Sequence, residues 1–281
     1  MVPGRHVKGT GMCLLVFVPN KDISVPPCPL TQAYDVWEEE LQGDSDAEFL
    51  LTGVLEGFRI TDSGAVFTPV ECNNYKSTTC PDNIDKVEEQ IRTEISKGHY
   101  VNVDEKPTIV SSLGAVPKSD PSNIRLIHDC SRPVGGNLNL YASIDSVAYD
   151  TVEEATRLLP PGGFMAKIDL RNAYRSVPIH RDCYAATGLK WCFTGQDETD
   201  YFIDTRLPFG ARRSPGIFQR LTSSVKRFMQ RRGYTTLVYL DDFLVIADSE
   251  EECHRAFDEL VSLLQRLGFE INDDKVVLPC Q

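Results

Sequence analysis

Two adjacent carboxylates set between two apolar, strand-prone runs constrain this chain more than any other feature. The stretch is Leu237-Val238-Tyr239-Leu240-Asp241-Asp242-Phe243-Leu244-Val245-Ile246-Ala247. Tyr234 to Leu240 reads as one strand and Phe243 to Ala247 as the next, with the acidic pair at the turn. The turn lacks the Asn-Gly or Asp-Gly pair that a relaxed two-residue hairpin prefers. Two like charges at such a bend repel and gain nothing by burial. A divalent cation is the usual compensation, since Mg²⁺ takes one or two carboxylates and fills its other positions with water and substrate phosphates. The bland alternative is a solvated acidic turn, and Tyr-x-Asp-Asp alone is weakly specific.

The hairpin gains weight from Asp169, which ends the apolar run Phe164-Met165-Ala166-Lys167-Ile168. A carboxylate at the end of a buried strand is costly unless paired or metal-bound. Capping the turn that follows is an equally open role for Asp169 alone. Beside Asp241 and Asp242, a third acidic group on a neighbouring strand completes a two-metal site. Such a site clamps the attacking and leaving oxygens of an in-line phosphoryl displacement.

The 281 residues suffice for one large domain or two modest ones. No apolar run reaches transmembrane length, so no membrane partner is expected. Met12 to Val18 reads as an ordinary strand, because Pro19-Asn20-Lys21-Asp22 is not a small-residue cleavage site. Nine cysteines, an odd number with no Cys-x-x-Cys pair, argue against zinc and against a disulfide framework. They read as reduced thiols of an intracellular protein, nuclear or cytoplasmic.

The net charge of −12 argues at first against nucleic acid, but it is unevenly placed. Residues 1–105 carry 8 basic and 18 acidic side chains, and residues 106–281 carry 21 and 23. Arg206 to Arg232 holds eight basic residues and no acidic one, a segment that a phosphate backbone could use. A solvated helix face is the plainer reading of such a cluster.

Taken in order, residues 1–30 read as a poorly ordered leader or as sequence upstream of a domain. Thr31 to Gln42 and Asp46 to Phe58 read as short helices capped by Thr31 and Asp46. Asn83 to Lys97 is a helix with Ile84, Val87, Ile91 and Ile95 on one face. Ile109 to Val116 and Asn123 to His128 form a long hairpin with Lys118 and Arg125 on its arms. A helix over Asp150 to Leu159 and a strand over Phe164 to Leu170 follow, then strands over Ala185 to Phe193 and Tyr201 to Thr205. A long basic helix spans Pro215 to Arg232. After the acidic hairpin, Ser249 to Leu267 is an amphipathic helix with a capping box, and Phe269 to Leu278 begins a last strand. This is a hairpin-centred α+β pattern, without a Rossmann or Walker glycine motif.

At this point the chain resembles a retroelement reverse transcriptase in its fingers and palm. Asp169 with Tyr174 five residues on is similar to the first palm motif. Leu207-Pro208-Phe209-Gly210-Ala211-Arg212-Arg213-Ser214-Pro215-Gly216-Ile217-Phe218-Gln219 is similar to the second. Tyr239-Leu240-Asp241-Asp242 resembles the third, and Gly268 to Asn272 with Lys275 the fourth. Lys118, Arg125 and Asp129 have the spacing of the family's fingers motif. The likeness runs from about Ile84 to Leu278, and the motifs follow in family order. Leu-Pro-Phe-Gly is closer to long-terminal-repeat and tyrosine-recombinase (DIRS-like) retrotransposons than to retroviruses.

The resemblance implies an α+β right-hand polymerase: fingers, and an antiparallel palm sheet backed by helices. It implies RNA-directed DNA polymerase activity, with an RNA or DNA template, a primer and dNTP as partners. Asp169 and Asp241, helped by the Leu170 carbonyl, would hold two Mg²⁺ ions, or Mn²⁺ in their place, with Asp242 adding to the acidic field and to metal binding. Lys118 and Arg125 would grip the triphosphate. Tyr174 would lie under the sugar and exclude a 2′-hydroxyl. Phe209 stands at a nucleotide-pocket position, and Gly210 would let backbone approach the nascent pair. Lys275 would protonate the leaving pyrophosphate. The basic helix would lie near template backbone. The expected division is an acidic region of unassigned role over 1–82 and a fingers–palm domain over 83–281 that stops before the thumb. The rival readings are a folded but inactive remnant, a nucleic-acid-binding module, and an RNA-dependent RNA polymerase, which Tyr174 and Leu-Pro-Phe-Gly disfavour.

Overall fold

The computed structural model describes residues 23, 25–118, 123–144 and 146–281. The leader up to residue 22, the strand expected over Met12 to Val18 and the tip of the fingers turn lie outside the described residues.

Three helices open the described chain: α1 (Pro29–Gln32), α2 (Tyr34–Glu40) and α3 (Ala47–Glu56). The first expected helix is thus broken at Ala33. Pro29 starts it one turn early, where its missing N–H costs nothing. Thr31 does not cap; its hydroxyl donates to the Val54 carbonyl at 2.8 Å. Asp46 sits at the N-cap of α3 without a capping hydrogen bond, because its carboxylate is drawn to Arg220 and Arg227.

The fingers follow. Strand β1 (Val70–Glu71), helix α4 (Lys76–Thr79) and helix α5 (Ile84–Ser96) precede β2 (Tyr100–Val103), β3 (Ile109–Val110), β4 (Ser112–Pro117) and β5 (Ile124–Asp129). Strands β4 and β5 form the expected hairpin, with Val116 opposite Arg125. Helix α6 (Val152–Leu158) is capped by a Thr151–Glu154 capping box. Strand β6 (Phe164–Arg171), β7 (Gly188–Trp191) and β8 (Asp200–Asp204) come next. A five-stranded sheet in the order β1-β3-β7-β8-β2 carries α5 on a core of Val87, Ile91, Leu113, Leu126, Leu189 and Phe202.

The palm is built from β6 and the C-terminal elements: α7 (Ser214–Arg231), β9 (Thr235–Tyr239), β10 (Asp242–Ala247), α8 (Glu250–Arg266), β11 (Glu270–Ile271) and β12 (Val277–Cys280). The sheet order is β11-β6-β10-β9, antiparallel throughout, with β12 also on β6. Helices α7 and α8 lie behind it, their apolar faces Phe218, Leu221, Phe228, Leu260 and Leu264 fully buried. The α+β palm expected from the sequence is therefore present.

The core does not part at residue 82/83. Leu30, Trp37, Leu50, Val54 and Phe58 belong to the same apolar cluster as palm residues Phe228, Phe243 and Leu264. Trp37 is fully buried, edge-on to Phe228 and Phe269, and its indole N–H donates to the Leu267 carbonyl at 3.0 Å. Burying one such side chain is worth on the order of 4–6 kcal/mol of apolar transfer.

The charge asymmetry is consumed in the same interface. Arg227 forks onto Asp44 with both bonds at 2.7 Å, Arg220 and Arg227 meet Asp46, and Arg231 and Arg232 meet Glu40. Arg213 pairs with Asp62, and Lys226 with Asp150. The basic helix expected beside a template backbone instead spends its charge on the acidic N-terminal region and on its own palm. Long-range pairing of this kind leaves no periodic mark in sequence.

Candidate active site

The acidic hairpin closes with a two-residue turn, Leu240-Asp241, between Tyr239 and its register partner Asp242. Leu240 has φ of 52°, a left-handed conformation that costs a side-chain-bearing residue about 1–2 kcal/mol. Gln219 of α7 holds the turn: its side-chain oxygen accepts the Leu240 N–H at 2.8 Å, and its amide donates to the Val238 carbonyl at 3.3 Å. The Leu170 N–H donates to the Asp241 carbonyl at 3.0 Å, tying the turn to β6. Gln219 closes the second palm motif in sequence, but its role as a clamp emerges only from the fold.

Register then brings the acids together. Asp242 is the direct cross-strand partner of Asp169. Asp169 is buried, and its carboxylate accepts from Asn272 Nδ2 at 2.9 Å and from Lys275 Nζ at 3.0 Å. Asp242 Oδ1 is sealed from solvent without a hydrogen bond, and Lys167 Nζ lies 2.9 Å from it as counterion. Asp241 is relieved less directly, by its own backbone N–H and by the Lys275 charge. Burial first, then the Asp242 and Asp169 charges, raise its carboxyl above the ordinary range.

A cleft of about 570 Å³ lies over this sheet end. Asp169, Asp241, Tyr174, Phe209, Lys118, Arg125 and Lys275 all line it. Tyr174 stacks on Phe209 with ring centroids 5.1 Å apart, and the Arg125 guanidinium stands 5.9 Å from the Phe209 ring. The exposed face of Phe209 thus floors a pocket walled by two finger cations.

One expectation changes. Asp242 does not line the cleft, and among the described residues no three acidic, His or Cys side chains gather into a ready metal cage. Lys167 and Lys275 draw two of the three carboxylates aside. Of that trio the cleft therefore offers two carboxylates, Asp169 and Asp241. That hard-oxygen set, with a negative field at Asp241 only partly offset by its own N–H and Lys275, fits Mg²⁺ that completes its shell with water and phosphate. At Gly210 an added Cβ would overlap the His128 carbonyl oxygen, so its missing side chain lets the palm loop meet the fingers. Asp129, of the fingers spacing, accepts from the Tyr75 hydroxyl and the Ser131 N–H and stays outside the cleft.

Further positioning residues were not singled out from sequence. Asn139 accepts from the Arg212 N–H at 2.7 Å and donates to the Gly210 carbonyl at 2.9 Å, bracketing the loop that presents Phe209. Arg175, next to Tyr174, bridges Asp204 of β8 and Glu94 of α5, all three well buried. Burial alone would raise the Glu94 carboxyl, but the His99 hydrogen bond and the Arg175 charge bring it down to about 2. This network locks fingers to palm in the wall of the cleft. A lone Arg or Glu in sequence gives no sign of it.

The model for "Reverse transcriptase (RNA-dependent DNA polymerase)" matches residues 116–280. The Gag-Pol polyprotein of avian reticuloendotheliosis virus is 29% identical over 127 residues, 44% of this chain and 11% of that protein. The Gag-Pol polyprotein of Rous sarcoma virus subgroup C is 29% identical over 157 residues, 54% of this chain and 9% of that protein. The chain thus spans about a tenth of the length of these relatives. A foamy viral protease–reverse transcriptase, solved in complex with double-stranded DNA, has a similar fold, with a TM-score of 0.65 at 15% identity. It aligns with 99% of this chain, which covers 46% of that one. The family match runs unbroken from the fingers hairpin to the last palm strand, more than half of the protein, and the chain belongs to the reverse transcriptase family.

Proposed function

We propose that this chain is the fingers–palm part of an RNA-directed DNA polymerase that adds dNTPs to a primer 3′-hydroxyl. The observation that carries the reading is the meeting of Asp169 and Asp241 at one sheet end, in a cleft whose far wall is Lys118 and Arg125. Phosphoryl transfer asks little covalent chemistry of a protein; positioning and charge neutralisation supply most of the rate.

Arg125 grips a triphosphate through its planar fork and Lys118 as a point charge. The Phe209–Tyr174 stack supports the sugar, and the Tyr174 ring occupies the space of a ribose 2′-hydroxyl. Asp169 and Asp241 hold divalent cations, Mg²⁺ or Mn²⁺, which when bound lower the pKa of the primer hydroxyl and neutralise the triphosphate. Asp242 adds negative field from beside the cleft. Lys275, within reach of Asp169, supplies a proton to the leaving pyrophosphate. The foamy viral neighbour solved with double-stranded DNA supports a primer–template duplex as the partner. Free thiols at all eight described cysteines support a site of action inside the cell.

An inactive remnant or a plain binding module is less favoured, since such a chain has no need to hold Asp241, partly buried and only partly compensated, beside two further carboxylates. The test is dTTP incorporation on poly(rA) primed with oligo(dT), with Mg²⁺. Incorporation by the native protein and its loss in Asp241→Asn support the reading. Equal incorporation by both proteins, or none by either, overturns it.

A further inference from the structure

Each outer carboxylate of the acidic trio has its own lysine. Lys167 Nζ lies 2.9 Å from Asp242, and Lys275 Nζ lies 3.0 Å from one oxygen of Asp169 and 3.4 Å from the other. Of the two lysines only Lys275 lines the cleft. It stands in a short turn after β11, at Asp273–Lys275, whose start is fixed by the Asn272 N–H donating to the Asp169 carbonyl at 2.9 Å. The Asn272 amide takes an Asp169 oxygen as well. Asp169 is therefore satisfied on both oxygens by neighbouring side chains. The Lys275 side chain is 61% exposed, so it is free to swing away without opening the core.

We infer that Lys275 is the resident counterion of Asp169 and competes with divalent cations for that carboxylate, keeping metal affinity low in the nucleotide-free protein. The inference rests on the reading of Asp169 and Asp241 as metal ligands. A single positive charge a few ångströms from an incoming dication opposes it, and solvent at this exposed position screens the effect without cancelling it. A triphosphate in the cleft offers the ammonium a more highly charged partner and so frees Asp169 when substrate arrives. An exposed ion pair holds little folding energy, so its removal leaves the protein folded.

The test is Mn²⁺ binding to the nucleotide-free protein, followed by the loss of the free-ion electron paramagnetic resonance signal. Lys275→Met is expected to bind Mn²⁺ roughly three- to tenfold more tightly than the native protein. Lys275→Arg, which keeps the charge, is expected to bind like the native protein. Unchanged or weaker binding by Lys275→Met, with Asp169→Asn and Asp241→Asn still reducing binding, overturns the counterion role and leaves the proposed function standing. Mn²⁺ binding insensitive to both aspartate substitutions overturns the metal-site reading itself, and the inference with it.

Discussion

Asp44 is the sharpest probe of how the acidic N-terminal region and the basic helix cooperate. Its side chain is 1% exposed and accepts both Arg227 Nε and Arg227 Nη2 at 2.7 Å, with Arg231 4.0 Å away. Burial opposes its charge, yet the Arg227 bonds and the Asp46 N–H outweigh burial and lower its pKa. Removing one partner of a fully buried pair costs about 3–5 kcal/mol, because the other charge is left stranded. Arg227 is one-third exposed and water recovers part of that loss, so Asp44→Ala is expected to cost about 2–3 kcal/mol. Urea unfolding followed by tryptophan fluorescence reads this directly, since Trp37 is packed in the same interface. The midpoint should fall by roughly 1 M, for a slope near 3 kcal/mol/M. The double substitution Asp44→Leu with Arg227→Met should recover most of the loss. Arg227→Gln should leave the salt dependence of primer–template binding unchanged, whereas a phosphate-contacting arginine would lower the slope by about 0.9. A loss below about 0.5 kcal/mol for Asp44→Ala, or a flattened salt slope for Arg227→Gln, would refute the internal-neutralisation account.

Asp241→Asn is expected to abolish synthesis while stabilising the nucleotide-free protein by roughly 0.5–1 kcal/mol at neutral pH, discounted for partial exposure. Because the folded pKa of Asp241 is raised, its contribution turns unfavourable as pH climbs past the ordinary aspartate value. The gain in thermal midpoint should accordingly vanish in acid; a destabilised Asp241→Asn at pH 7 would sink this reading. Glu94 has the opposite sign: with its carboxyl lowered from 4.5 to about 2, its stabilisation is complete above 4.5 and is lost as pH falls toward 2. Glu94→Gln should remove on the order of 3 kcal/mol at pH 7 and flatten the acid limb of the stability curve; an unchanged limb would count against the network. Gln219→Leu strands the Leu240 N–H and releases the left-handed turn, so it should cost about 1–3 kcal/mol and reduce incorporation at least tenfold, read by urea unfolding and primer extension. Unaltered incorporation would show that the turn holds its shape unaided.

The parts of the fold legible in sequence were those written in local periodicity. Alternation placed β5 and the hairpin β9–β10 within about a residue, and α5 ended at Ser96, one residue before the expected Lys97, whereas the strand expected over Ile109 to Val116 splits into β3 and β4 of different sheets. The order of acids, aromatics and finger cations likewise sufficed to bring Asp169, Asp241, Tyr174, Phe209, Lys118 and Arg125 to one cleft. What sequence did not reveal is partner choice. Arg227 and Asp44 are 183 residues apart, and nothing in a run of arginines distinguishes a phosphate contact from a buried fork. The same blindness hid the lysines on Asp169 and Asp242, the Asn139 bracket and the Gln219 clamp, all set by tertiary register. Thr31 and Asp46 looked like caps, but each found a stronger acceptor or donor across the core.

Templated nucleotidyl transfer at Asp169 and Asp241 is tested most directly by single-turnover addition to a DNA primer annealed to a defined RNA strand. The native protein, Asp169→Asn and Asp241→Asn would each be mixed with one dNTP at a time and Mg²⁺. The account predicts extension by one residue only with the complementary dNTP, with a rate lowered at least roughly 10³-fold by either substitution. Template-independent addition, or an Asp241→Asn protein that extends at the native rate, would contradict it.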